Sequence, residues 1–385
     1  MTTTKPGMRS FLEHLNDFGN GACVGYDLCM KACPVVDADV PICELNDAAD
    51  NPSAMTARVR QFVVDCIQCG RCTEACPTGA PRDHMMLHLR ANMPDRPSEY
   101  AAYARLKGGH GLQPWYKDLL KSAFQLYAKS SVDARVWPHL DKQEFEQRDT
   151  LLYFGCYAFS HTKSPTVTLD LAEAMGVDYE IIAGLRTCCG WPQTLSGDLE
   201  RGEELLLGLG MLIDKVQPKV VVSGCAECVA AVQVLARRAG GAFESISTVE
   251  WLLRNRDKLD LDPSDDPITF HDSCHLTRKM NRGHIARELM EGAFALNELE
   301  EHGRDGQCCG YYGFNLNEEK TRAVRRKRLE QAKATGASKL AVECVTCQES
   351  FEKAHEDGDP EVVELQKLVL ESVLRKAKLN KEGAQ

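Results

Sequence analysis

The chain has 385 residues, enough for two or three domains, and its 43% hydrophobic and 26% charged content is that of a globular protein with a sizeable core. A net charge of −10 gives nucleic acid no electrostatic purchase, and the longest apolar stretch, "LLLGLGMLI" at 205–213, is far too short to span a bilayer. The opening "MTTTKPGMRSF" lacks the apolar core of a secretory signal, so the expectation is a cytoplasmic chain, or one held peripherally on the cytoplasmic side of a membrane. Eighteen cysteines in such a compartment stay reduced, which favours metal or cluster ligation over a disulfide scaffold.

Taken in chain order, the first cysteine group is Cys23, Cys29, Cys33, Cys43, Cys66, Cys69, Cys72 and Cys76. "CIQCGRCTEACP" places Cys66, Cys69, Cys72 and Cys76 at the bacterial ferredoxin spacing, in which three thiolates hold one [4Fe–4S] cube and the fourth reaches a second. A zinc site needs only four ligands and more often shows two separated pairs. The earlier run, "CVGYDLCMKACP", has Tyr26 where the second cysteine would stand. One reading is a three-iron cluster. The other, preferred here, brings Cys43 back as the missing ligand, beyond a loop flanked by Pro34 and Pro41. The expected sets are then Cys66, Cys69, Cys72 and Cys33 on one cube, and Cys23, Cys29, Cys76 and Cys43 on the other. A phenol oxygen is a poor ligand for iron–sulfur, so Tyr26 is expected to be a packing residue. Residues 1–105 are assigned to this helical, ferredoxin-like domain.

No cysteine falls between 77 and 155. "PRDHMMLHLRANM" (81–93) has apolar residues at 85, 86, 89 and 93, and 112–130 carries them at 115, 116, 119, 120, 123, 124 and 127, both helical periods. Residues 106–149 therefore read as a helical connector whose aromatic-rich helix packs between domains; docking of a partner is the other reading.

The remaining ten cysteines are Cys156, Cys188, Cys189, Cys225, Cys228, Cys274, Cys308, Cys309, Cys344 and Cys347, and they repeat. Cys156 and Cys274 are 118 positions apart, Cys189 and Cys309 are 120, and Cys228 and Cys347 are 119. In each copy a short apolar strand ("TLLYFG", "ITFHD") runs into the first cysteine, and a helical stretch leads to Cys-Cys-Gly. A second helix (200–216, 318–335) then precedes a strand ("KVVVSG", "KLAVE") that ends in C-x-x-C. Alternating strands and helices predict parallel α/β units, with sites at the strand ends. The period is too long for a solenoid, so the expected fold is α/β: the ferredoxin-like domain followed by a duplicated cysteine-rich domain, copies 150–265 and 266–385, treated as separate units.

Five thiolates per copy exceed what zinc or an ordinary cube uses, and their spacing suggests one unusually large cluster in each. Gly190 and Gly310, lacking a Cβ, would let backbone N–H groups approach cluster sulfur; ordinary turn glycines are the other reading. "HDSCHLTRKM" places His271, His275, Arg278 and Lys279 around Cys274, and "CYAFSHTKS" places His161 and Lys163 after Cys156. His275 is the candidate proton donor to a released thiolate, against a role in satisfying carbonyls or balancing charge. The charge run at 318–333 reads as a solvated helix face.

The patterns C-x31-C-C-x35-C-x2-C and C-x33-C-C-x34-C-x2-C resemble the motif of the cysteine-rich-domain family typified by heterodisulfide reductase. The resemblance covers the whole chain. A ferredoxin-like domain ahead of two such repeats is similar to the fused catalytic subunit of the membrane-type heterodisulfide reductase, and to the iron–sulfur subunits of glycolate oxidase and anaerobic glycerol-3-phosphate dehydrogenase. It implies two cubane and two non-cubane [4Fe–4S] clusters, which account for all eighteen cysteines. It implies an electron-transfer subunit of an oxidoreductase complex, working with disulfide cleavage between the two non-cubane clusters. A pure relay from a flavoprotein dehydrogenase to quinone or ferredoxin is the alternative, and a scaffold or sensor with structural metal is a third. No G-x-G-x-x-G follows a strand, so a flavin would come from a partner; the expected partners are a flavoprotein or other redox subunit, a membrane cytochrome b or a quinone-linked subunit.

Overall fold

The computed structural model describes residues 23–35, 40–93, 131–140, 142–311 and 318–382. The aromatic-rich stretch 112–130 lies outside them. No helix among the described residues is long and apolar enough to cross a membrane.

The N-terminal part is helical: Leu28–Lys31, Ile42–Asp50, Ala57–Asp65, Arg71–Glu74 and Arg82–Ala91. The Thr56 hydroxyl accepts the Val59 N–H and starts the third of these. Ile42, Leu45, Val59, Phe62, Val63, Met85, Met86 and Leu89 close into one apolar core, so the period read at 81–93 is realised as a helix. The two short cysteine-bearing helices begin alike. Gly70 (φ 76°) precedes Arg71–Glu74, and Asp27 (φ 53°) precedes Leu28–Lys31. A short polar side chain tolerates the left-handed region by bonding locally, and here the Asp27 carboxylate accepts the Ile42 N–H at 2.6 Å.

Two four-stranded parallel sheets follow. The first contains β1 (Thr150–Gly155), β2 (Glu180–Ala183), β3 (Val220–Ser223) and β4 (Glu244–Ser247) in the order β2-β1-β3-β4. The second contains β5 (Ser264–His271), β6 (Phe294–Leu296), β7 (Lys339–Val342) and β8 (Glu361–Glu364) in the order β6-β5-β7-β8. β1 is buried along its whole length, as a strand covered by helices on both faces must be. In each sheet the chain reverses its strand order between the first and third strands. The crevice at that switch point lies beyond the carboxyl ends of β1 and β3, or β5 and β7. Cys156, Cys225, Cys274 and Cys344 stand just past those four ends.

The copies are not separate units at the level of packing. Leu151, Phe154, Leu169 and Val222 share one core with Ile268, Phe270, Leu365 and Val369. The Ser164 hydroxyl donates to Glu364 Oε2 at 2.7 Å, Gln366 Nε2 donates to Ser164 Oγ at 2.8 Å, and the Val345 N–H donates to the Gly224 carbonyl at 3.1 Å. The ferredoxin-like part is fastened by Arg90. Its buried guanidinium donates to the carbonyls of Val63 (2.8 Å) and Cys66 (2.7 Å) and, across the boundary, to Leu195 (2.7 Å).

Candidate metal centres

All eighteen cysteines are free thiols. In the N-terminal part, a tight cavity is lined by Cys29, Cys33, Cys66, Cys69 and Cys72, with Ile42, Phe62 and Met85 in its walls. The left-handed turn at Gly70 and the following helix turn Cys69 and Cys72 toward Cys66. Burial pushes the Cys72 thiol far up, and Asp83, Cys69, Cys66 and Cys33 push it further. Four thiols crowded in an apolar chamber cannot all ionise unless a cation or cluster takes their charge, which is the chemistry of an iron–sulfur nest.

A second, small recess is lined by Cys23, Cys29 and Cys76, with Tyr26 and Asp27 also bordering it. Cys43 is exposed and lines neither space. It follows Ile42, which lines both, and so stands beside the recess on the first turn of its helix. Tyr26 is 70% exposed and is not the packing residue expected; its place on the recess rim, next to the left-handed turn at Asp27, turns the ring outward. Arg82 borders both spaces and is buried, donating to Asn46 Oδ1 at 3.0 Å.

Each repeat gathers its cysteines from the strand ends and the Cys-Cys-Gly turn. In the first, Cys188 is hydrogen-bonded to Cys156 and Cys189, and Cys228 Sγ lies 3.7 Å from Cys189 Sγ. In the second, Cys308 is hydrogen-bonded to Cys274 and Cys309, and Cys309 to Cys347. The same member of each pair is the best thiolate. Hydrogen bonds from Cys188 and Cys228 lower Cys189, and those from Cys308 and Cys347 lower Cys309, against burial that opposes both. The Trp191 and Tyr311 N–H groups, just past the glycines, also support these thiolates, and the Gly190 N–H supports Cys188.

Gly190 and Gly310 have a packing reason to be glycine as well. Both are left-handed, at φ 78° and 66°. A Cβ on Gly190 would fall on the Gly202 carbonyl of the helix Leu199–Val216, and one on Gly310 would come within 2.8 Å of the Thr321 carbonyl of Glu318–Ala334.

The sets adjoin. Cys225 and Cys344, one from each repeat, are hydrogen-bonded, and the Ala226 N–H reaches Cys344 Sγ at 3.3 Å. That bond and the one from Cys347 lower Cys344 well below an ordinary thiol despite its burial. On the other side, burial raises the Cys69 thiol, Arg278 opposes that rise, and Cys274 adds to it. Arg278, of the "HLTRK" turn (His275–Lys279), fixes this junction. Its Nε donates to the Cys69 carbonyl at 2.9 Å and its Nη1 to the Gly306 carbonyl at 2.7 Å. Burial opposes its charge, but the Cys69, Cys274 and Cys308 thiols hold it on. Lys279 pairs with Asp83 at 3.2 Å and lies 5.6 Å from the Trp191 ring. Lys279 is thus paired inside the protein, whereas Arg278, held by carbonyls through Nε and Nη1, keeps a buried Nη2 with no hydrogen-bond partner among the described residues.

His275 is buried: its Nδ1 lies 3.5 Å from Cys274 Sγ and its ring meets Trp191 edge-on at 5.3 Å. His161 lies 3.4 Å from Glu349 in an open cleft along the seam between repeats, lined also by Lys163, His355 and Glu364. The charge run is not wholly a solvated face. Arg325 and Arg328 are buried: Arg325 donates to the Gly310 carbonyl and to Ser350 Oγ (3.1 Å), and Arg328 to His271 Nδ1 (3.2 Å). The helix turns these two guanidinium groups inward because carbonyls and a histidine around the second Cys-Cys-Gly turn need donors.

Among known proteins the chain is similar to a subunit of the fumarate reductase (CoM/CoB) of Methanothermobacter marburgensis, 22% identical over 90% of this chain and 71% of that one. It is similar to a subunit of the dihydromethanophenazine:CoB–CoM heterodisulfide reductase of Methanosarcina barkeri, 23% identical over 74% of this chain and 71% of the relative. The corresponding Methanosarcina acetivorans protein is 21% identical over 78% and 75%. Residues 64–82 match the 4Fe–4S binding domain, and residues 150–233 and 268–352 match the cysteine-rich domain. With its thiols gathered in nests and all five cysteines of each repeat inside the matched segments, the chain carries a 4Fe–4S binding domain and two cysteine-rich (CCG) domains, and it is similar to iron–sulfur subunits of oxidoreductase complexes.

Proposed function

We propose that this chain is the iron–sulfur electron-transfer subunit of a multi-subunit oxidoreductase of the heterodisulfide reductase kind, its eighteen cysteines holding two cubane and two non-cubane [4Fe–4S] clusters. The observation that carries this reading is the contiguity of the nests: Cys69 against Cys274 and Cys308 at one junction, and Cys344 against Cys225 at the next. One cube falls to Cys33, Cys66, Cys69 and Cys72, the other to Cys23, Cys29 and Cys76, with the adjacent Cys43 as its fourth ligand. Each repeat's five cysteines take one non-cubane cluster. When bound, these clusters supply one-electron transfer along the row.

The chain's own residues hold and insulate the row. Arg278 and Lys279 set two cations beside the junction of the first cube and the second repeat, offsetting thiolate charge that burial leaves unscreened. The seam cleft bordered by His161, Lys163 and Glu364 supports a way in for a disulfide-bearing substrate. His275, beside Cys274, is the proposed proton donor to a departing thiolate, whose ordinary pKa near 8.5 makes a donor useful. The partner would be a flavoprotein or other redox subunit, with a cytochrome b or quinone-linked subunit where the complex meets a membrane.

The test is anaerobic reconstitution with iron and sulfide counting and electron paramagnetic resonance. The expected content is about sixteen irons from four four-iron clusters. A content near half that, with no unusual paramagnetic species on oxidation in the presence of a thiol, would remove the non-cubane pair.

A further inference from the structure

The repeats agree in every cysteine but differ three residues before the first one, where Tyr153 stands in the first copy and His271 in the second. Both side chains are buried. Tyr153 lies among the cysteines of its set, where burial and then Cys228, Cys189 and Cys188 raise its phenol. Its one proton is already committed, donated to the Thr187 carbonyl at 2.7 Å. A ring nitrogen of His271 and the Sγ atoms of Cys309 and Cys347 all lie within 4.8 Å of one another. Phe351 holds the ring edge-on at 4.8 Å.

The tautomer follows from the partner. Arg328 donates its Nε–H to His271 Nδ1, and a guanidinium has no acceptor to offer in return. Nδ1 therefore carries the lone pair and Nε2 the proton. Arg328 cannot swing away, because it also donates to the Glu301 carbonyl and to Gln331 Oε1 at 2.9 Å. His271 Nε2 is buried with no hydrogen-bond partner among the described residues. An unspent N–H on a ring this close to two thiols is placed to donate to sulfur once a thiolate draws nearer. It is not an iron ligand, since ligation needs the Nε2 lone pair and would force a proton onto Nδ1, facing the arginine.

We propose that His271 donates an Nε2–H hydrogen bond to a thiolate of Cys309 or Cys347, and that the first repeat has no counterpart because its tyrosine is spent on a backbone carbonyl. The inference rests on the two-cluster reading of the repeats. Donors to cluster thiolates stabilise the electron-rich form and raise the reduction potential. The second nest, the one beside Cys69, then holds the more easily reduced of two clusters with the same ligands, and His271 acts as a tuning residue.

The experiment is a potentiometric titration of the reconstituted full chain followed by electron paramagnetic resonance, the second repeat's signal being assigned by its loss in Cys309→Ser. His271→Phe should make reduction of that cluster about tenfold less favourable, a fall of about 59 mV for one electron. His271→Gln, whose amide can accept from Arg328 and present an N–H near the same place, should recover most of the shift. Tyr153→Phe should leave the first repeat's potential in place. Unmoved potentials in His271→Phe overturn the proposal, and so does a loss of iron from the second repeat in both histidine variants, which would make the imidazole a ligand. Wild-type protein with no repeat clusters would instead strike down the reading beneath it.

Discussion

Gly190→Ala probes how the first Cys-Cys-Gly turn is held. The residue sits at φ 78°, and its would-be Cβ is directed at the Gly202 carbonyl, part of a helix backbone that cannot rotate aside. The left-handed backbone alone costs an alanine about 1–2 kcal/mol, and forcing apart a packed helix and turn adds about 1–3 kcal/mol; together about 3 kcal/mol is expected. Gly310→Ala meets the Thr321 carbonyl at 2.8 Å and should cost somewhat less. Gly25→Ala, at φ 74° with nothing within 4 Å, should lose only the backbone share, about 1 kcal/mol. The assay is the denaturation midpoint of the three variants, read beside their iron content. Gly190→Ala should be the least stable and should lose iron from the first repeat, because Cys188 and Cys189 move with the turn. A Gly190→Ala no less stable than Gly25→Ala would refute the carbonyl contact as the reason for the glycine.

Cys43→Ser should convert the cube proposed for Cys23, Cys29, Cys76 and Cys43 to a three-iron form detectable by electron paramagnetic resonance; an unchanged cluster inventory would show that Cys43 is not its ligand. Cys344→Ser should disturb the signals of both repeats, through its bond to Cys225, whereas Cys309→Ser should disturb only the second. Glu364 is held up to about 7, chiefly by burial, against about 4.5 for an exposed glutamate. The fold keeps that proton where the unfolded chain has released it, so the contribution to stability is whole below about pH 4.5 and falls away as pH rises to 7, by about 3 kcal/mol. Glu364→Gln should therefore show a flatter denaturation midpoint between pH 5 and pH 8 than wild type, and parallel profiles would contradict the shift. His275→Ala should keep its iron and lose disulfide turnover in the assembled complex; retained turnover would take the histidine out of the chemistry.

What could be read beforehand was whatever is written locally. β1 is six residues of apolar sequence running into a cysteine, and it was legible to its ends, as were the helices Leu199–Val216 and Glu318–Ala334 to within a residue. The gathering of five thiols in each repeat was legible because the strand ends, the Cys-Cys-Gly turn and the C-x-x-C pair recur in the same order at one period. Relations between distant segments were not legible. "VRRKR" looks like a solvated run until the carbonyls of Gly310 and Glu301 stand beside it and draw in Arg325 and Arg328. Nothing near Cys225 announces Cys344, 119 residues on, as its neighbour. Arg278 and Arg90, which fasten the ferredoxin-like part to the repeats, resemble any other arginine in the sequence. Tyr26 read as packing because a poor ligand needed another task, and its exposure depended on how a short loop turned.

The contact between Cys225 and Cys344 bears on how the protein is made. Under the proposed cluster assignment each of these thiols would be a ligand in its own repeat, and each is seated partly by the other. A repeat that is still empty therefore leaves its neighbour with a misplaced ligand. Under that assignment maturation would be a joint event: the two repeats would first fold against each other, and the first cluster to arrive would preorganise the second site. Partially loaded chains should be scarce at equilibrium, and the cell's assembly machinery would meet the pair of nests as one client rather than two.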